Sequence, residues 1–295
     1  LSIARYLLVF LFLLAPTPTI SSNAIEVKDD TGNVVWLSQP AKRIISLSPH
    51  LTELLFELGV GDQVVGAVEH SNFPPAASAV PRIGSHSKFD IETITSLTPD
   101  LILAWHSGTP RAEISRLEKL RVPIFRSEPR QLDDIANTLI RLGQLTGAGA
   151  RGRRLAATFR ADVSRLKVRY KHRSSVRVFF QVWQDPLITL NQDHLVTTLI
   201  SQCGGENIFG ALGPLAPTVS LEAVIGTNPE VIIAAAPQET AHQWLRRWRR
   251  WQGIQAVRNE HLFSINPDVI NRATPRILEG MQSLCELIER ARARN

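Results

Sequence analysis

Residues able to do chemistry are scattered along this chain, and they do not assemble into a familiar catalytic set. His70, His86 and His106 lie in short polar segments, "VEHSNFPP", "GSHSKFD" and "AWHSGTP", with Glu69 and Asp90 nearby in sequence. Imidazoles joined by a carboxylate can ligate zinc and activate water, so one option is a metal-dependent hydrolase. Against it, the histidines lack the close spacing of a structural zinc motif, and loop histidines are commonly plain polar surface. No Gly-x-Ser-x-Gly, Walker loop or His-Glu-x-x-His occurs. What remains is flat rings and a few polar groups: Phe73, Trp105, Trp183, Asp268 and Arg272. Such a set binds rather than reacts, with rings against an apolar ligand and a few polar groups fixing its orientation.

The bulk sequence sets the context for that reading. With 295 residues, 44% hydrophobic and 20% charged, the chain has ordinary globular composition and room for one large or two medium domains. Its formal charge of +6 is mild and spread out, so nucleic acid is not an expected partner. Arg5, the apolar run "YLLVFLFLLA" and the small residues of "SSNA" describe a secretory signal peptide over 1–24, cleaved after Ala24. A membrane anchor would need about 20 apolar residues, and this run breaks at Pro16. No cysteine lies near the cleavage site for lipid attachment, so a free periplasmic protein is expected. In that oxidising compartment, the even count of Cys203 and Cys285 favours a disulfide over two buried free thiols.

Hydrophobic periodicity then organises the chain. Strands such as "RIIS", "LILAW" and "VRVFFQ" alternate with helical stretches, as in a parallel α/β sheet. Between Gln131 and Lys171 the alternation stops, leaving two helical stretches and no strand. The phrase "IETITSLTPDLILAW" at 91–105 returns as "LEAVIGTNPEVIIAA" at 221–235, and "HLTELLFELGVGDQVVG" at 50–66 returns as "HLVTTLISQCGGENIFG" at 194–210. Two matches in the same order imply a duplicated unit. The expectation is an α/β protein of two Rossmann-like lobes, 25–130 and 174–295, joined through a helical linker at 131–173 that provides one long backbone helix. Ligands bind beyond the carboxyl ends of such strands and at domain junctions, so the lobes should form a cleft. In "WLRRWRRW", Trp244, Trp248 and Trp251 fall at i, i+4 and i+7, as on a helix packed against the second sheet. A basic face toward anionic lipid is the secondary option there.

Several stretches carry a resemblance: "RIISLSPHLTELLFELGVGDQVVGA", "SNFPPAA", "IETITSLTPDLILAW", "CGGENIF" and "NRATPRI". From roughly residue 43 to 290, the chain resembles the periplasmic cobalamin-binding proteins that feed ABC-type vitamin B12 importers. The resemblance implies a monomeric receptor, not an enzyme, with no cofactor or metal of its own, and the helical linker implies small lobe movements rather than a wide hinge closure. Its small-molecule ligand would be cobalamin or a related corrinoid. It also implies a disulfide between Cys203 and Cys285, and ligand contacts from Phe73, His86, Trp105, Asp268 and Arg272. Glu92 and Glu222, the acid of each repeated phrase, would dock onto arginines of the transmembrane dimer of the importer, although the helix dipole alone also favours an acid there. The pocket departs from the family pattern. Phe73 stands for a tyrosine, His86 and Ala216 for tryptophans, and Ile188 for a phenylalanine, while Trp105 is kept. Ferric-siderophore and haem receptors share the architecture and form the alternative.

Overall fold

A computed structural model describes residues 24–85, 87–170 and 173–293 of the protein. The expected signal peptide, all but Ala24, and His86 therefore lie outside the described residues. A hairpin of β1 (Ile25–Lys28) and β2 (Val34–Leu37) precedes the first lobe. The lobe follows in the order β3 (Ile44–Ser46), α1 (Pro49–Glu57), β4 (Val64–Ala67), α2 (Ile91–Ser96), β5 (Leu101–Trp105), α3 (Arg111–Glu118) and β6 (Ile124–Ser127). Then come α4 (Leu132–Thr146) and α5 (Gly149–Tyr170). The second lobe runs β7 (Val176–Gln181), α6 (Leu195–Gln202), β8 (Gly205–Asn207), α7 (Leu221–Thr227), β9 (Val231–Ala235), α8 (Gln238–Trp248), α9 (Gln255–Arg258), β10 (Leu262–Ile265), α10 (Pro267–Ile270) and α11 (Ile277–Ala293).

The duplication in the sequence is a duplication of topology. The first sheet has strand order β4-β3-β5-β6 and the second β8-β7-β9-β10, each parallel throughout, so the two superpose strand for strand. Parallel strands covered on both faces are continuous apolar runs, and Val231–Ala235 is buried at every position. The repeated phrase folds alike both times. The Thr93 N–H donates to the Asp90 side chain at 3.0 Å, and the Ala223 N–H to the Ser220 hydroxyl at 3.1 Å, capping α2 and α7. Each helix is then followed by a residue in the left-handed region, Thr98 at φ 43° and Asn228 at φ 45°.

The two helices between the sheets have different jobs. One face of α4, with Leu132, Ile135, Leu139, Leu142 and Leu145, is buried in the core, and the Ala41 N–H donates to the Leu145 carbonyl at 2.8 Å. At Gly147, with φ 79°, the chain leaves α4, and α5 packs back on it. A Cβ at Gly152 would lie 2.5 Å from the Leu139 carbonyl oxygen, so glycine sets how closely these backbones approach. The run "GAGARG" at 147–152 has the glycine spacing of a dinucleotide loop, but it joins two helices rather than strand to helix. At 22 residues, α5 is the long backbone helix, about 33 Å at 1.5 Å per residue. Through Ala156, Phe159, Val163 and Tyr170, one apolar cluster continues from Val27 in the first lobe to Ala291 in α11.

Two details differ from the sequence reading. Helix α8 ends at Trp248, so Trp251 lies beyond it and is 36% exposed, while Trp244 and Trp248 pack inward. The hairpin, β8, α9 and α10 are further elements. Cys203, at the end of α6, is disulfide-bonded to Cys285 of α11 with Cα atoms 4.8 Å apart.

Candidate functional site

In each sheet the order of strand addition reverses after the second strand. A crevice therefore opens beyond the carboxyl ends of β3 and β5 in one lobe and of β7 and β9 in the other. In the first crevice, the Ser48 hydroxyl and His50 Nδ1 are 2.6 Å apart, and the His50 ring meets Trp105 edge to face at 5.9 Å between centroids. Burial, and next the Arg272 guanidinium, push the His50 pKa down to about 3, so the imidazole is neutral at pH 7. Trp105 is held against Gly108, where any Cβ would fall 1.9 Å from the indole.

The lobes meet over one buried acid. Glu53, on α1 of the first lobe and 3% exposed, accepts from the Thr274 hydroxyl at 2.5 Å. Arg276 donates to it from Nε at 2.8 Å and from Nη2 at 2.9 Å, and the Arg272 guanidinium lies 3.7 Å away. This fork-to-fork geometry is the strong form of an ion pair, and the Glu53 carboxylate raises the Arg276 pKa further above its ordinary value. The Arg276 Cζ sits 3.5 Å from the Phe73 ring centroid, a cation–π contact from second lobe to first. Arg272 Nη2 adds donations to the His70 carbonyl at 3.2 Å, Asn72 Oδ1 at 2.9 Å and Asp268 Oδ1 at 2.8 Å. Local sequence explains why Asp268 is there: Asn266 caps α10 by accepting from the Asp268 N–H at 2.9 Å, and Pro267 fills the first helical position.

Next to this network lies an interlobe cavity of about 960 Å³. His70 and Asn72 bound it on the first lobe. Pro237, residues of α8, the end of β10, Asn266, and Pro267 and Asp268 of α10 with Arg272 bound it on the second. The structure thus brings Phe73, Asp268 and Arg272 into one cluster, and Trp105 stands beside it through His50. His70 lines the cavity and His106 does not; among the described residues, no three His, Cys, Asp or Glu side chains converge as a metal group. Glu92 and Glu222 are exposed in the first turns of α2 and α7. Ala216 is exposed, and Trp183, at the end of β7, is 55% exposed with its edge on Trp244 at 6.0 Å.

The sequence reading missed Glu53, Asn72, Arg276 and the arginines of α8. For Glu53 a signal existed: it is a lone acid between Leu51 and Leu54, both fully buried on α1. An acid on an apolar face demands a partner. The partners lie more than 200 residues away in the chain, so local pattern does not name them.

Comparison with known proteins follows this geometry. Residues 44–269 match the periplasmic binding protein family. The vitamin B12-binding protein of Vibrio cholerae serotype O1 is 37% identical over 251 residues, covering 85% of this chain and 90% of that protein. The crystal structure of the periplasmic vitamin B12 binding protein of Vibrio cholerae aligns with a TM-score of 0.81 at 36% identity, covering 86% of this chain and 98% of that one. The apo periplasmic haem-binding protein from Roseiflexus sp. RS-1 aligns at 0.75 with 24% identity, covering 85% and 99%, a likeness of fold alone. With twin parallel lobes, a spanning helix and this match over most of its length, the chain belongs to the periplasmic binding protein family.

Proposed function

We propose that this protein is a periplasmic receptor that captures cobalamin or a related corrinoid between its lobes and delivers it to an ABC importer. The observation that carries the reading is the cavity of about 960 Å³ between the lobes, at the upper end of small-molecule sites and suited to a macrocycle. Capture is a binding event without a chemical step. In this reading Asp268 and Arg272, in the cavity wall, supply hydrogen bonds to the ligand periphery, and Phe73 and Trp105, beside the cavity rather than lining it, are assigned ring surface by the resemblance. His86, outside the described residues, is assigned to the ligand set by the resemblance alone, and the exposed Trp183 offers a further ring where Ile188 and Ala216 do not. A ferric-siderophore or haem receptor is the second reading, favoured by Ile188 and Ala216 standing where the resemblance expects two aromatics.

Calorimetric titration of residues 25–295 with cyanocobalamin, cobinamide, haem and a ferric siderophore tests this. The expected result is saturation at one corrinoid per chain, weakened about tenfold by Phe73→Ala, the loss expected for one good aromatic contact. Binding of haem or siderophore with no corrinoid response would shift the assignment to the second reading. Delivery is assigned to Glu92 and Glu222, one on each lobe and both exposed, as a two-fold importer interface requires. Reversing both charges with Glu92→Arg and Glu222→Arg should abolish uptake in cells while leaving affinity unchanged. Normal uptake by that double variant would remove the docking role.

A further inference from the structure

Helix α8 and the residues that follow it spell arginines in pairs, Arg246–Arg247 in the last turn and Arg249–Arg250 just beyond, and the fold sends the two members of each pair to different places. Ala241, Trp244 and Trp248 face the core. His242, Arg246 and Arg249, at i, i+4 and i+7, line the interlobe cavity. Arg247 and Arg250 line a separate pocket of about 200 Å³ beside Gln184, Asp185 and Trp251. In that smaller pocket Arg247 has a neutral hydrogen-bond partner: the Gln184 amide oxygen accepts from its Nε at 3.0 Å and Nη1 at 2.7 Å. On the cavity side the account is different. Among the described residues, the structure gives no ion pair to His242, Arg246 or Arg249. Asp268 is already engaged by Arg272, which itself spans Asn72 and the His70 carbonyl. Two guanidinium groups therefore share a wall with one uncommitted acid, Glu239. The helix dipole favours cations at its carboxyl end, but it does not choose the cavity face for them.

We infer that α8 is an anion-recognition wall, in which Arg246 and Arg249, with His242, bind a phosphate or carboxylate on the periphery of the captured ligand. The inference rests on the receptor reading above and deepens it. Leu245 and Ile265 put apolar surface in the same cavity, so a ring packs there while its acidic edge meets α8. Guanidinium presents two parallel donors that match either oxyanion, and a partly enclosed site screens the charge less than open water. The two sources of that chemistry are a phosphodiester, as in the nucleotide loop of a complete corrinoid, and a carboxylate, as on haem.

The test compares the chain of residues 25–295 with an Arg246→Gln, Arg249→Gln double variant, both sites being exposed and outside the core. At low salt, wild type should prefer cyanocobalamin over cobinamide, which has the corrin ring without the phosphate loop, by about tenfold, the worth of one charge-assisted pair. The preference should shrink as salt rises. In the double variant the two ligands should bind within about twofold of each other, with cobinamide affinity unchanged. An unchanged preference in the variant overturns the inference. If haem binds and corrinoids do not, the corrinoid assignment falls, and the wall stands only if the variant weakens haem but not its dimethyl ester. Inorganic phosphate gives an arm independent of any macrocycle. Against chloride at equal ionic strength, it should raise the melting temperature of wild type and not of the variant, and an equal response in both overturns the wall.

Discussion

His50 is neutral because its surroundings make charge costly: burial first, then the Arg272 guanidinium, hold its pKa at about 3. Its counterpart in the repeated "HL" phrase, His194, is held at about 4 by burial and then by Arg130, while its Nδ1 accepts from the Val196 N–H at 3.1 Å. Both folded values lie below the unfolded value of about 6.5. Between the two values the unfolded chain binds more protons, so stability is full above pH 6.5 and falls as pH drops toward the folded values. For His50 the loss at pH 5 amounts to about 2 kcal/mol. Urea unfolding at pH 7 and pH 5 measures it. His50→Asn should narrow the gap between the two pH values, because an amide keeps a partner for Ser48 and cannot take the proton. A gap as wide in the variant as in wild type would place the acid sensitivity elsewhere.

At the scale of elements, the disulfide and the helical hairpin fix what the sheets alone do not. Cys203 and Cys285 tie α6 to α11 and close a loop across a sequence separation of 82. In the chain-entropy account, that closure contributes about 4.5 kcal/mol by constraining the unfolded state. A Cys203→Ser, Cys285→Ser double variant should keep the wild-type circular dichroism and lose roughly that much unfolding free energy, and reduction of wild type should reproduce the loss. Equal stability with and without the bond would mean that the surrounding core already orders this region. The elements that sequence reveals are those with a strong local cause. "LILAW" and "VIIAA" are apolar runs with capped helices before them, and both were legible. The missed strand β8 is "GEN", whose place comes from backbone pairing with Val176–Val178 rather than from its side chains. The missed hairpin has strands of only four residues, and its outward positions mix Glu26 and Lys28 with Val34 and Trp36, so no clean alternation marks it. In the site, Asp268 and Arg272 stood out as polar loop residues among the rings, and the resemblance assigned them ligand contacts. Glu53 showed only its place on an apolar helix face, not its partners, and Arg246 and Arg249 stayed hidden because a charge on or just after a helix looks solvated until the opposing lobe is in place.

Across the whole molecule, the lobes are joined in two physically different ways. At the back, one apolar cluster runs through α4 and α5 into both sheets. At the floor of the cleft, the joint is ionic: Glu53 of the first lobe is held by Thr274 and Arg276 of the second, with Arg272 at 3.7 Å and Phe73 under the Arg276 guanidinium. The apolar joint resists any wide opening, since separating it would expose packed surface from both lobes. The ionic joint sets the resting angle, because its donors and acceptor match only in one relative placement. Removing one partner strands buried charge, so Glu53→Gln should cost about 3 kcal/mol of unfolding free energy, within the usual range for a broken buried pair. Arg276→Gln should cost a similar amount, and the double variant should cost much less than the sum, with a coupling of about 2 kcal/mol in the cycle. The lobes should still stay together: small-angle scattering of Glu53→Gln should show a radius of gyration close to wild type, because α5 and the shared core remain intact. Additive losses in the cycle would mean that the two side chains act independently and that no ionic latch exists. A large expansion on Glu53→Gln would mean that the apolar joint is too weak to hold the lobes, and that the receptor closes like a hinge rather than resting on a fixed frame.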